Sequence, residues 1–465
     1  MHIEKNICDS LLGTLLDILG KSKDHINSRY DLHEIGIHKE LQPVKDCDTG
    51  NIHLAKVCFS MKPEEKRLFC TVLKDAKLPK GFASNISSRV QIEDMKVSGY
   101  KSHDAHFILH YLIRVAVRKV LPKNVSLILI RYQTEDDEDI QTGEGDASPL
   151  FPKTGHPIGS MNKRIGKTFN MEHNEWFEAH RYALFNTGDE KVETFIKEHN
   201  NLIDNRTRGN AWVKAQIHSK DFSDWFRDKV KNIEVSNHLR WLAKGPNFVA
   251  KRYTGYFING YRFHTKTRDV PCKTQNSGVT LSATTDNFAS ARDQNLIDGM
   301  VIYYGIIQDI IEIDYWGCFS VVLFRRDWFH NEVDEYGLTR VYINKKCSTN
   351  DPFVLASQVH QIFYVEDPIE KNVYYARHKV SVDLYDLEEE NCPNIEETFW
   401  RETNDNIGSS ERVLDVDVRW SREDLSVDII DLPALAQHSE DVTMQTSEEE
   451  DDFDDTDWDW MEADD

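Results

Sequence analysis

The feature that most restricts how this chain can fold is a change of hydrophobic period near Val249. Upstream, apolar residues recur at three- and four-residue spacing. Downstream, in RYTGYFINGYRFHT and VIYYGIIQDIIEIDYWGCFSVVLFRRDWF, they alternate and are mostly Tyr, Ile, Val, Phe and Trp, the side chains that suit a pleated, half-buried surface. Asn259-Gly260 and Trp316-Gly317 interrupt these runs as hairpin turns do. GLTRVYIN, HQIFYVED and NVYYARHKV add three short strands. Strands this short and this close in sequence predict a small, strongly bent antiparallel barrel at about 300–385.

The upstream part reads as helical. NICDSLLGTLLDIL places Ile7, Leu11, Leu12, Leu15, Leu16 and Leu19 at helical spacing, with Asn6 as the expected N-cap and Gly20 as the stop. A second helix is predicted from Pro63, which suits a first turn, with Leu68, Phe69, Val72 and Leu73 inward. A third is predicted from about Ser102 to Val120, ended by Pro122. NEWFEAHRYALFN, DEKVETFIKEHNNLI and KDFSDWFRDKVKN give three more, the last with Asp221 or Ser223 as cap. The expected fold class is α+β. Its plan is a helical part at 1–131, an acidic Gly/Pro linker at 132–165, helices at 166–248, a β-rich domain at 249–385 and an acidic disordered tail at 386–465.

Charge is unevenly placed. The net charge is −23, yet residues 386–465 hold 29 acids against 4 bases, leaving 50 acids and 52 bases for residues 1–385. Only that body can attract a polyanion. The tail end, EEEDDFDDTDWDWMEADD, sets Phe453, Trp458, Trp460 and Met461 among carboxylates, an acidic-hydrophobic alternation that suits either a segment offering aromatics to a partner groove or a solvating tail without a partner. None of the eight cysteines forms a CxxC pair, so free thiols are expected. No apolar run reaches membrane-spanning length, and no membrane partner is expected. Phosphate-loop, GxSxG, HExxH and EF-hand patterns are absent from the sequence.

Several phrases are more specific. MHIEKNICDSLLGTLLDI, LPKGFASNISSRV, GYKSHDAHFILHYLIRVAVRKVLP and NEWFEAHRYALFN resemble the region that follows the catalytic core in plant CACTA (En/Spm-type) transposon proteins. LAKGPNFVAKRYTGYFINGYRFHTKTRD, FASARDQN, YYGIIQDIIEIDY, VVLFRRDWF and DPFVLASQVHQIFYVED are similar to a second transposon-associated domain of unknown function. The resemblance implies a nuclear location and, as partners, DNA at transposon ends, chromatin proteins or transposase subunits. In the family a ribonuclease-H-like domain with spaced carboxylates precedes MHIEKN. With that phrase at Met1, the expectation is a chain without catalytic residues, cofactor or enzymatic activity. The alternatives are a chromatin reader and a relic without selected function.

Four constellations merit weighing. Glu4, which the resemblance makes a candidate for the family's last catalytic carboxylate, cannot alone hold the two metals of strand-transfer chemistry, and reads more simply as an acid near a helix N-terminus. In KSHDAHFILH, His103, His106 and His110 share one helix face, and two or three of these imidazoles with the Asp104 carboxylate could bind zinc. Capping by Ser102 or Asp104 with packed or surface histidines explains the phrase as well, so no metal is assigned. Arg240, Lys251, Arg252, Arg262, Lys266 and Arg268, with Lys244 and His264, alternate with Trp241, Tyr253, Tyr256, Tyr261 and Phe263. Cations beside aromatics suit phosphate contact with base stacking, against the plainer reading of a solvated strand face over core aromatics. Tyr304, Tyr315, Trp316 and Trp328, with Tyr303 and Tyr364, are candidates for a methyl-lysine cage in an SH3/BAH-like barrel, against ordinary core aromatics.

Overall fold

The computed structural model describes residues 2–47, 49–81, 85–131, 155–208, 211–287, 297–347, 352–378 and 420–430. These residues divide into two compact units, one built from 2–76, 85–131 and 420–430 and the other from 77–81 and 155–378. The architecture is α+β, helical in the N-terminal part and with a closed six-stranded antiparallel barrel in the C-terminal part.

In the first unit, the helix His2–Leu15 buries Cys8, Leu12 and Leu15. It starts well before Asn6, so that residue lies inside the helix instead of capping it. The helix Pro63–Asp75 begins with its proline and buries Phe69, Cys70, Val72 and Leu73. Glu65 closes its first turn by accepting from the Lys62 N–H at 2.7 Å. The third predicted helix runs as Ser102–Phe107, a π-helical turn Ile108–Leu112, and Ile113–Ala116. A further helix, Lys123–Arg131, follows Pro122.

Residues 420–430 depart from the expectation of a wholly disordered tail. The strand Asp428–Ile430 pairs antiparallel with Ile52–Leu54, whose other edge pairs with Val44–Lys45. Arg422 donates to Glu65 at 3.0 Å and to the Ser60 carbonyl at 2.7 Å. A three-residue edge strand with open N–H and C=O groups is a ready template for this pairing. The aromatic end of the tail, Phe453 to Met461, lies outside the described residues.

In the second unit the barrel strands are β1 (Gly278–Asn287), β2 (Ile297–Asp314), β3 (Ser320–Val333), β4 (Thr339–Lys346), β5 (His360–Glu366) and β6 (Val373–His378). They close in the order β3-β4-β6-β5-β1-β2 and back to β3. The sequence reading identified β2 to β6 but passed over β1, the strand that shuts the barrel by pairing Gly278–Asn287 with β2 and Gly278–Thr280 with β5. Its interior holds Tyr304, Ile306, Phe329, Val341, Ile362 and Tyr364.

β2 and β3 are too long to stay in the barrel. Their pairing slips at a bulge between Ile307 and Asp309, which bends the ribbon. Beyond it, Ile310–Ile313 pair with the strand Val249–Tyr253, and Lys167–Asn170 pairs with that strand in turn. Helices cover this second sheet. Ala179, Leu184, Phe222, Phe226 and Leu242 share one core with Ile311, Ile313, Tyr315, Leu323 and Phe353. The predicted boundary at 248/249 is therefore absent: the helices at 173–244 pack on the same sheet that feeds the barrel. The last long helix spans Ala211–Lys231, so Asp221 and Ser223 are interior residues, not caps. The linker prediction also shortens, because His156–Pro157 pairs with the hairpin strand Gly255–Ile258.

This helical core is expected to make the unit acid-labile. His199 and His218 hydrogen-bond through Nδ1 atoms 2.7 Å apart, and His180 Nδ1 lies 3.1 Å from the Tyr315 hydroxyl. Burial lowers all three, His218 to about 4 and His180 to about 3. Their neutral forms belong to the folded state, so their contribution is complete above the unfolded imidazole range near 6.5. As pH falls below about 6.5 the unfolded chain takes up protons the folded chain refuses, and stability declines until the folded values are reached. Urea midpoints measured from pH 7.5 to 4 are expected to fall steadily. His218→Phe is expected to flatten the curve, and an unchanged slope would remove His218 as a cause.

Candidate functional site

The described residues bring together one group of three or more metal-ligating side chains: Glu4, His106 and His110, whose ligand atoms all lie within 4.8 Å of one another. Glu4 Oε1 sits 3.0 Å from His106 Nδ1 and 3.2 Å from His110 Nε2. The histidines are four residues apart and share a helix face. Their rings lie 4.2 Å apart, tilted by 34°. Glu4 comes from the first helix, seated by buried Cys8 and Leu12 and by the Tyr100 hydroxyl donating to Asp9 at 2.5 Å. Burial raises the Glu4 carboxyl pKa, but the two imidazoles together outweigh it and the net direction is down. His103 is not part of this group and makes an edge contact with Phe107 instead. Asp104 is fully buried and accepts from the Lys101 N–H at 3.0 Å, closing the helix start from its third position.

The predicted DNA-contacting residues are spread over several elements. Lys251 and Arg252 are neighbours on one strand and project to opposite faces. Lys251 is exposed and stands opposite Glu312 in register. Arg252 lies over Phe169 at 4.3 Å and faces Asp309 at 3.4 Å. Arg262 stands opposite Phe257 on the outward face of the Gly255–Ile258/Tyr261–His264 hairpin, where Phe257 also meets His156 at 5.2 Å. Lys266 and Arg268 lie on the short helix Lys266–Asp269, where Arg268 donates to the Ile158 carbonyl at 3.3 Å. Arg240 is exposed on the helix Asn237–Lys244. His264 is not available to a ligand: it is buried and faces Asp269 at 2.9 Å.

Lys251 also borders a cleft of about 340 Å³. Arg164, Tyr253, Tyr256, Glu312, Ser320 and Ser357 share its walls. The Tyr253 hydroxyl donates to Glu312 at 2.6 Å, and burial with that carboxylate raises the Tyr253 pKa. Tyr256 is pushed up to about 12 by burial and by the same carboxylate. Both phenols keep their protons at neutral pH, Tyr253 committing its own to Glu312, beside two cations. Sequence reading found Lys251 and both tyrosines but not Arg164, which lies in a segment assigned to the linker.

The cage residues are not brought together. Tyr315 belongs to the core under the helices, Trp328 to the core under the hairpin and Tyr304 to the barrel interior, all at most 5% exposed. Trp316 is exposed but occupied: its indole donates to the Gly245 carbonyl at 2.9 Å, and Lys244 lies 3.8 Å from its ring centre. Tyr364 is buried, with its hydroxyl on the Gly305 carbonyl, and Tyr303 packs on Trp328. The correction has a plain cause, since alternation on a closed sheet sends neighbouring aromatics to different cores.

Among the described residues, no helix is long and apolar enough to cross a membrane. No curated protein and no solved structure matches this chain. Residues 311–376, from the second half of β2 to β6, match the family model described as Domain of unknown function (DUF4216), a domain typical of plant transposase-derived proteins.

Proposed function

We propose that this transposase-related chain is a non-catalytic DNA-interaction module of the CACTA (En/Spm) type, acting in the nucleus of a plant cell. The observation that carries the reading is the cleft beside the second sheet, lined by Lys251, Arg164 and the Tyr256 phenol, with the Glu312 carboxylate engaged by the Tyr253 hydroxyl. Two cations and a hydroxyl donor of this kind suit a phosphodiester. Arg262 beside Phe257 and His156 on the hairpin's outward face adds a cation next to half-buried rings. The non-catalytic part of the reading draws on the Glu4 group, which holds one carboxylate between two imidazoles, whereas a two-metal centre needs several.

Filter binding of duplex DNA over a salt series tests this. Affinity is expected to fall steeply with salt, each lost phosphate contact reducing the log–log slope by about 0.9. The Lys251→Ala/Arg164→Ala double variant is expected to reduce the slope by about 2 on that scale. Salt-insensitive binding, or a slope unmoved by the double variant, would set the DNA reading aside. DNA cleavage by the purified chain with manganese would set aside the non-catalytic one.

A further inference from the structure

We infer that Glu4, His106 and His110 form a binding site for one zinc-class transition-metal ion that clamps the first helix to the helical run Ser102–Ala116. The site is independent of the proposed DNA surface and lies in the other compact unit.

Zinc bonded to nitrogen and oxygen at about 2.0–2.1 Å holds tetrahedral neighbours about 3.3 Å apart. The carboxylate oxygen stands 3.0 and 3.2 Å from the two imidazole nitrogens. All three ligand atoms lie within 4.8 Å of one another, so side-chain adjustment is what would bring both nitrogens and the oxygen onto one ion. Two histidines at i and i+4 on one face are the arrangement by which a helix offers two imidazoles to one metal.

The helix itself is modified at this point. His110 lies within the π-helical turn Ile108–Leu112, following the α-helical turn that carries His106. Such wide turns are rare and recur at functional sites. Buried Ile108, Leu109 and Leu112 anchor the turn from the opposite side, so the imidazoles are held on a fixed backbone.

The donor set selects the ion. Two imidazoles and one carboxylate suit zinc and its transition-metal neighbours, whereas magnesium and calcium take oxygen shells. Side-chain exposures of 29% for Glu4, 16% for His106 and 26% for His110 leave a solvent-facing side where water can complete the shell. The clamp joins residues 102 and 106 positions apart, so the ion would tie together segments that sequence keeps distant.

Cobalt titration of the metal-stripped full chain, read by visible absorption, tests the inference. One equivalent of cobalt is expected to give d–d bands of a nitrogen/oxygen site, abolished by one equivalent of zinc. Glu4→Gln and His110→Gln are each expected to weaken binding at least tenfold, with unchanged far-UV circular dichroism. X-ray absorption on the wild-type zinc form, which requires no variant to fold, is expected to show two imidazoles and no sulfur. Thiolate-to-cobalt charge transfer, sulfur in the zinc shell, sub-stoichiometric binding, or bands unaffected by both substitutions would each overturn the site.

Discussion

Phe222→Ala is expected to lower the stability of the barrel-containing unit by about 3–5 kcal/mol. Phe222 is fully buried and stacks on Phe226 at 5.5 Å, with Phe185 at 5.2 Å on another side. It belongs to the core that includes Ile311, Leu323 and Phe353 of the sheet. Removing the ring leaves a cavity bounded by both layers, and neither a helix nor a bent sheet can collapse into it freely. The consequence reaches beyond the helices. Hydrogen exchange followed by mass spectrometry is expected to show amide protection falling together in Ala211–Lys231 and in the paired halves of β2 and β3. Loss confined to the helices would mean that they form a separate cooperative unit, as the sequence alone suggested.

Gly278→Val should cost about 3 kcal/mol or more, at the severe end of overpacking. Gly278 is where β1 meets both neighbours, opposite Ile306 on β2 and Ile362 on β5. A Cβ there would lie 2.5 Å from the Ile362 carbonyl oxygen and 3.1 Å from the Tyr364 ring. The nearest atom is backbone in a paired strand, so relief requires separating β1 from β5, and the barrel loses its closure. Gly337→Ala is the control: its φ of +81° is strained for alanine, but nothing stands within 4 Å of the added carbon. That strain alone is worth about 1–2 kcal/mol. Thermal melts of the two variants are expected to differ clearly, with Gly278→Val the lower. Equal melting temperatures would show that the seam yields.

The zinc inference and the acid sensitivity concern histidines that look alike in sequence. His106 and His110 stand partly open to solvent beside a carboxylate. His180, His199 and His218 are enclosed by aromatic rings, and burial holds them neutral. No local pattern separates the two groups. The phrase around His106 showed that imidazoles share a helix face, but not which side chain from 100 residues away would meet them.

The chain's own residues determined a good deal of this protein. Alternation of aromatic and branched residues set β2 to β6, Asn259-Gly260 set a hairpin with both residues at positive φ, and Pro63 set a helix start. These are local choices, governed by backbone sterics and by which face of one element is apolar. Tertiary structure decided what each face is buried against. It placed helices at 173–244 on the sheet, sent Tyr304, Tyr315 and Trp328 into three cores, returned residues 428–430 to an edge strand, and brought Glu4 to His106 and His110. Periodicity reports that a face is covered and is silent on the covering partner, because pairing across long loops is settled by the packing of the whole unit.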